Sequence, residues 1–404
     1  MNKLKLTFGF IVLIYGIGFT QNATWTYYNE SNSDIPGNWI WGINIDSVQN
    51  VWVSTVNDGL GKYNGTNWNT FNTSNSDIPD NTCLYTAFES NGNVWVGTLS
   101  GASCFDGSNW SDPIGCDVWD IEFDQDSNIW VATLGYGLAF YDYETWSYFD
   151  NDEIGTNSVF AVEIDNEGIL WIGTDIGLLK YNGTSWVKYD VNNSDLPINT
   201  VISLEIDMFN DVWIGLGGSN NTGGLLKFNR TDWMVYTVAN SDLPSNVIND
   251  ILADDEYRIW VATGGSEAGG LAMLDQNENW VIYNNSNSGL PGIENHTSAL
   301  AIDSAGCIWV GTNEGIGVLC TDQVQVISQL KSEAPANIYP NPAKDEVYIN
   351  VDNIKSIELF NESGVSVDKM NQTKKIEIGA YPAGIYIIQI STNTDIITEK
   401  ILKY

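Results

Sequence analysis

Asn93-Val94-Trp95-Val96-Gly97-Thr98 is the stretch that decides the fold, because the chain repeats it. Trp52, Trp95, Trp130, Trp171, Trp213, Trp260 and Trp309 stand in the same frame, 43, 35, 41, 42, 47 and 49 residues apart. Six residues before each tryptophan comes an acid: Asp46, Glu89, Asp124, Asp165, Asp207, Asp254 and Asp303. Three residues after it comes Thr55, Thr98, Thr133, Thr174, Thr263 or Thr312, with Leu216 as the exception. Period-2 alternation of Trp, Tyr, Val and Ile, broken by Asn, Asp and Gly, spells strands and turns. A period of roughly 40–45 residues made of short strands is the mark of propeller blades.

A second series gives the same count. Trp25, Trp68, Trp110, Trp146, Trp186, Trp233 and Trp280 open the fourth, outermost strand of each unit. The expected fold is all-β, a seven-bladed β-propeller followed by a small C-terminal Ig-like β-sandwich. Thr24 to Asn29 is the economical choice of strand to complete the last blade, with Val324 to Ser328 as the other candidate. Closure would leave no open sheet edge. Between blades runs a further repeat, Asn-Ser-Asp-[Ile/Leu]-Pro at 32–36, 75–79, 193–197 and 240–244, and Asn-Ser-Gly-Leu-Pro at 287–291. This is turn chemistry.

The flanking segments read differently. Lys3 and Lys5 precede an apolar run from Leu6 to Phe19, the pattern of a secretory signal over residues 1–20. The propeller is expected over 21–330, a linker over 331–337 and a separate module over 338–404. No other apolar run reaches the roughly 18 residues a membrane helix needs. The chain carries 16 Lys+Arg against 51 Asp+Glu, a net charge of −35. That excludes nucleic acid as a partner, since phosphate binding needs basic surface, and it disfavours anionic membranes.

The repeated acid-(five residues)-Trp-[Val/Ile]-[Gly/Ala/Ser]-Thr unit is typified by Asp165-Asn166-Glu167-Gly168-Ile169-Leu170-Trp171-Ile172-Gly173-Thr174, then Gly177-Leu178-Leu179-Lys180-Tyr181. It resembles two-component-regulator propeller repeats. The resemblance implies an extracellular ligand-binding propeller of the kind that recognises glycan fragments in Bacteroidota. Ile338-Tyr339-Pro340-Asn341-Pro342-Ala343, Ile357 to Gly364, Pro382-Ala383-Gly384-Ile385-Tyr386 and Glu399-Lys400-Ile401-Leu402 resemble the type A C-terminal sorting domain of the type IX secretion system. That implies the secretion machinery as a partner, export to the cell surface or medium, and removal of the chain after about Ala336.

Candidate chemistry is sparse. His296 is the single histidine, so a Ser–His–Asp triad would have to use it and a histidine-rich metal site is excluded. Counted back from each repeat acid, positions one, three and five of the inner strand are mostly apolar. Positions two and four carry Asp120, Glu122, Glu163, Glu205 and Asp250, which would face a central channel. Crowded carboxyls are hydrated, share a cation such as Ca²⁺, or shift upward in pKa. The loops between second and third strands are tight except Gly217 to Gly223 and Gly264 to Gly269. Asn220, Asn221, Ser266 and Glu267 on these loops, with Trp39, Tyr136 and His296 at the same mouth, are the expected ligand contacts. The hairpin tip Thr312-Asn313-Glu314-Gly315 sets Cys307 opposite Cys320, predicting a disulfide; Cys83 and Cys116 form a weaker pair. The expected function is a secreted or surface binding module for a glycan or peptide. The alternatives are a polysaccharide lyase or hydrolase using the channel carboxyls, and a structural adhesion protein.

Overall fold

In a computed structural model, residues 23–111, 115–218, 222–264, 269–292, 297–321, 337–339, 343–351, 354–361, 366–371, 373–382, 384–392 and 396–403 are described. The chain divides into two compact units, 1–322 and 323–404. All regular structure among the described residues is β-strand.

The first unit holds seven antiparallel sheets. Their inner strands are Ile40–Ile45, Cys83–Phe88, Asp117–Phe123, Val159–Ile164, Val201–Ile206, Val247–Ala253 and Thr297–Ile302, which define blades one to seven. Six sheets have four strands; in blade two Trp110 makes only an isolated bridge to Phe105. Ala23–Tyr28 pairs antiparallel with Gly315–Thr321, so the first strand of the chain completes the last blade. Seven hydrophobic clusters lie one between each pair of neighbouring blades. One of them joins blade seven (Ala299, Trp309, Ile316) to blade one (Ile40, Ile43, Val53) and closes the ring.

The repeat motif is explained by local bonding. Each acid accepts a hydrogen bond from the indole Nε1 of its tryptophan, at 3.0 Å for Asp165–Trp171 and 2.7 Å for Glu89–Trp95. The same carboxylate caps backbone N–H groups of the turn, Glu167 and Ile169 in the fourth copy. A buried indole N–H without a partner would be costly. The threonine hydroxyl donates to a glycine carbonyl across the next turn, Thr174 to Gly177 at 2.6 Å. Gly177 has φ of +129°, and a Cβ there would lie 2.1 Å from the Tyr189 carbonyl oxygen. In the inter-blade repeat the apolar residue is the plug: Ile35, Ile78, Leu196, Leu243 and Leu290 are all buried. Ile154 does the same after blade three, where the motif is absent.

Cys307 and Cys320 are joined by a disulfide with Cα atoms 4.3 Å apart. Cys83 and Cys116 are both free thiols, contrary to the weaker pairing. The reason is their place: Cys83 packs with Trp52 in the core between blades one and two, and Cys116 with Trp95 and Ile121 in the core between two and three.

The second unit has a three-stranded and a four-stranded antiparallel sheet. They share one core, in which Val347, Ile349 and Ile376 of the first meet Ile357, Leu359, Ile388 and Ile401 of the second.

Candidate functional site

Every inner strand of the propeller carries a β-bulge at the fifth residue before the repeat acid. An extra residue re-aims the side chains on either side of it. The expected simple alternation therefore fails at this level. Trp41 and Trp119 belong to blades one and three, with blade two between them, yet their rings meet at 5.8 Å. They can do so only across the central lumen. Trp119 also meets Phe160 of blade four edge-on at 5.6 Å. An aromatic cluster thus crosses the channel near one end.

Beyond it lie the five acids. Water reaches Asp120, Glu122, Glu163, Glu205 and Asp250, but each is mostly enclosed by protein. Three of them join neighbouring blades. Asp120 accepts from the backbone N–H of Val162 at 2.9 Å, Asp250 from that of Leu300 at 2.7 Å, and Glu205 from that of Ala253 at 3.0 Å. The donors are N–H groups on the free inner edge of the next blade. These carboxylates cap an edge that no strand covers.

Burial raises all five. Asp120 and Asp250 rise to about 7 despite the opposing backbone N–H bonds. Burial, with Asp120 adding repulsion, takes Glu122 to about 8. Glu205 also reaches about 8 through burial, against the bond from Ala253. Glu163 goes well above the ordinary range through burial and then through Glu122, Glu205 and Asp120. Tyr85, on blade two, is raised by burial and then by Asp120, Glu122, Glu163 and Asp250. Among the described residues no group of three or more His, Cys, Asp or Glu side chains is arranged to hold a metal ion. Asp120, Glu205 and Asp250 are therefore inter-blade clamps, and burial favours the protonated form of all five acids.

The strands alternate in direction, so second-to-third-strand turns and inter-blade loops open on one face. First-to-second and third-to-fourth turns open on the other. Trp39 and Tyr136 are both about half exposed on the first face, at 51% each, but on the non-adjacent blades one and three. Asn220, Asn221, Ser266, Glu267 and His296 lie outside the described residues. A polar groove of about 520 Å³ on this face is lined by Glu30, Asp34, Asn57, Asp58, Asn72 and Asn81 among others.

The opposite face carries a cleft the sequence reading missed. It has about 290 Å³ and lies between blades five and six, with Phe209, Trp213, Tyr236, Tyr257, Asp275 and Glu278 in its wall. A signal existed: in the turn after the repeat acid, the fifth copy alone has two adjacent large apolar residues, Met208-Phe209.

With this geometry established, comparison with known proteins adds identity. Residues 153–175, 242–265 and 291–314 match the two component regulator propeller. Residues 337–404 match the secretion system C-terminal sorting domain. The chain thus carries regulator-type propeller repeats and a C-terminal secretion sorting domain. It is accordingly a secreted or cell-surface protein. No curated protein matches it. Among solved structures, PorZ, a surface component of the type IX secretion system of Porphyromonas gingivalis, is similar with a TM-score of 0.59 at 17% identity, over 91% of this chain and 60% of that one. The extracellular domain of a one-component system of B. thetaiotaomicron gives 0.60 at 19%, over 93% and 52%. A streptogramin B lyase gives 0.60 at 13%, over 74% and 97%. The chain thus spans just over half the length of two of these three, and at such identities the likeness shows the fold alone. Among the described residues no helix is long and apolar enough to cross a membrane.

Proposed function

We propose that this chain is an extracellular binding module, exported by the type IX secretion machinery, that takes a glycan or peptide ligand on the face bearing its enlarged loops. The observation that carries this reading is the sorting domain at 337–404 behind a propeller whose repeated residues are all engaged in holding the blades. The acids, tryptophans and threonines are committed to structure. Recognition is left to the elements that break the repeat: Trp39, Tyr136 and the long loops of blades five and six, with Asn220, Asn221, Ser266, Glu267 and His296. On the same reading residues 1–20 are an export signal, 21–330 the propeller, 331–337 a linker and 338–404 the sorting module, cut away after about Ala336.

Two measurements test this. Intact mass of the protein from its native host should show both termini shortened; a full-length released chain counts against the sorting reading. Glycan and peptide arrays probed with the purified chain should show binding that weakens when both long loops are cut to four residues. New reducing ends or unsaturated products from a polysaccharide would replace the binding module by an enzyme.

A further inference from the structure

The cleft between blades five and six lies on the face opposite the long loops, and its argument is independent of the preceding proposal. Phe209 is 63% and Met208 53% exposed. A large aromatic left in water at a turn tip costs hydrophobic free energy unless something covers it. The turn is built to present it. Asp207 accepts from the backbone N–H groups of Phe209 and Asp211, and Asn210 takes φ of +67°. The Asn210 side chain in turn accepts from the Asn166 backbone of blade four. Phe209 stacks on Tyr257 of blade six with centroids 5.2 Å apart and planes at 25°. This pair forms one lip of the cleft. Its floor is apolar, from Trp213, Ile259 and Leu274.

The charges in the wall are not balanced. Asp207 is paired with Lys227 at 3.6 Å, and Asp254 with Arg258 at 2.6 Å. Asp275 and Glu278 have no cation beside them among the described residues. Burial works to raise Asp275, but bonds from Asn279 and Asn277 outweigh it and hold the carboxyl below its ordinary value. Glu278 is exposed and lies close enough to Tyr236 to raise its phenol, after burial. The polar part of the wall is thus mainly acceptor and anionic, beside aromatic faces, on a chain of net charge −35.

From this complementarity we infer that the cleft binds a basic peptide segment, seating one lysine or arginine side chain with its stem on the apolar floor and its charge between the aromatic lip and Glu278. Long basic side chains suit such a site because stem and head ask for different surroundings. Cation–π attraction and a carboxylate partner both act on the head. The protein's field would draw the segment in.

The test uses the full chain and a fluorescently labelled peptide of alternating lysine and glycine, with its fully acetylated form as control, read by anisotropy. The intact chain should prefer the cationic peptide to the acetylated one. Phe209→Ser should weaken binding roughly tenfold. Glu278→Gln should weaken it several-fold, while Glu167→Gln, the same charge change in a first-to-second-strand turn on the same face of blade four, should not. The long-loop deletions should leave it unchanged. Equal loss from Glu167→Gln would reduce the effect to net charge and overturn the inference. So would unchanged binding in Phe209→Ser and Glu278→Gln, or binding of neutral oligosaccharides, instead of the peptide, that is lost in Phe209→Ser. Should Phe209→Ser melt early, the Glu278 and Glu167 variants decide alone.

Discussion

Replacing Asp165 by alanine should be among the most damaging single changes in the propeller. One carboxylate oxygen accepts from the backbone N–H groups of Glu167 and Ile169 at 2.9 and 3.0 Å. The other accepts from Trp171 Nε1 at 3.0 Å and pairs with Arg230 at 2.9 Å. Trp171 is fully buried, so its indole N–H would be left without a partner, at a cost of about 1–3 kcal/mol. The Ile169 N–H, half-buried, adds about 1 kcal/mol. Arg230 lies over the Trp171 ring at 4.6 Å and would lose its carboxylate, for about 1 kcal/mol more. The total is about 3–5 kcal/mol, or roughly 10 °C in Tm for a unit of this size. Asp124→Ala is the control. Its Trp130 bond is longer, 3.3 Å, and Trp130 is 7% exposed. That variant should lose about half as much. Scanning calorimetry measures both. A Tm for Asp165→Ala within about 1 °C of the intact chain would refute the idea that the repeat acid exists to hold the indole.

Other outcomes follow from the same geometry. The channel acids have folded-state pKa values raised to about 7 for Asp120 and Asp250 and about 8 for Glu122 and Glu205. Between the ordinary carboxyl range and those values the folded state holds more protons than the unfolded chain, so stability should fall as pH rises across that window and level off above it. Glu163→Gln should flatten this decline and raise Tm near about pH 8.5 while changing it little near about pH 5.5, as thermal melts at both would show. Thiol titration of the denatured chain should find three reactive groups, Cys83, Cys104 and Cys116, and five after reduction. Reducing Cys307–Cys320, 13 residues apart, should cost about 3 kcal/mol in denaturant melts. Gly177→Ala forces a Cβ against the Tyr189 carbonyl at positive φ and should destabilise by at least about 2 kcal/mol in the same assay.

How much of this could be read from the chain depends on what repeats. Trp171, Asp165 and Thr174 recur because each blade must solve the same bonding problem, so blade number and ring closure were legible without coordinates. The sorting segment was legible for another reason: its motifs come in a fixed order. The bulge was not, because nothing in the spacing of Trp39-Ile40-Trp41-Gly42 marks an extra residue; only the ladder register reveals it, and only the ring geometry shows that Trp41 and Trp119 meet. The cleft at Phe209 and Tyr257 was hidden by its composition, since it joins turns of two blades that are 47 residues apart at their tryptophans. The inter-blade role of Asp120 and Asp250 was also invisible, as sequence shows a carboxylate but not the backbone N–H it meets.

The strand Ala23–Tyr28 has its partner in Gly315–Thr321, and the Thr24 hydroxyl reaches the Cys320 carbonyl 296 positions away. During synthesis or threading from the N-terminus, the earliest strand must therefore wait for the latest, and the seventh sheet stays one strand short throughout. The ring latches only once residue 321 has emerged, directly ahead of the sorting segment at 337–404. A chain that can show its address label has already delivered everything needed to shut its ring. One truncated earlier offers an open wheel and no label, and so excludes itself from dispatch.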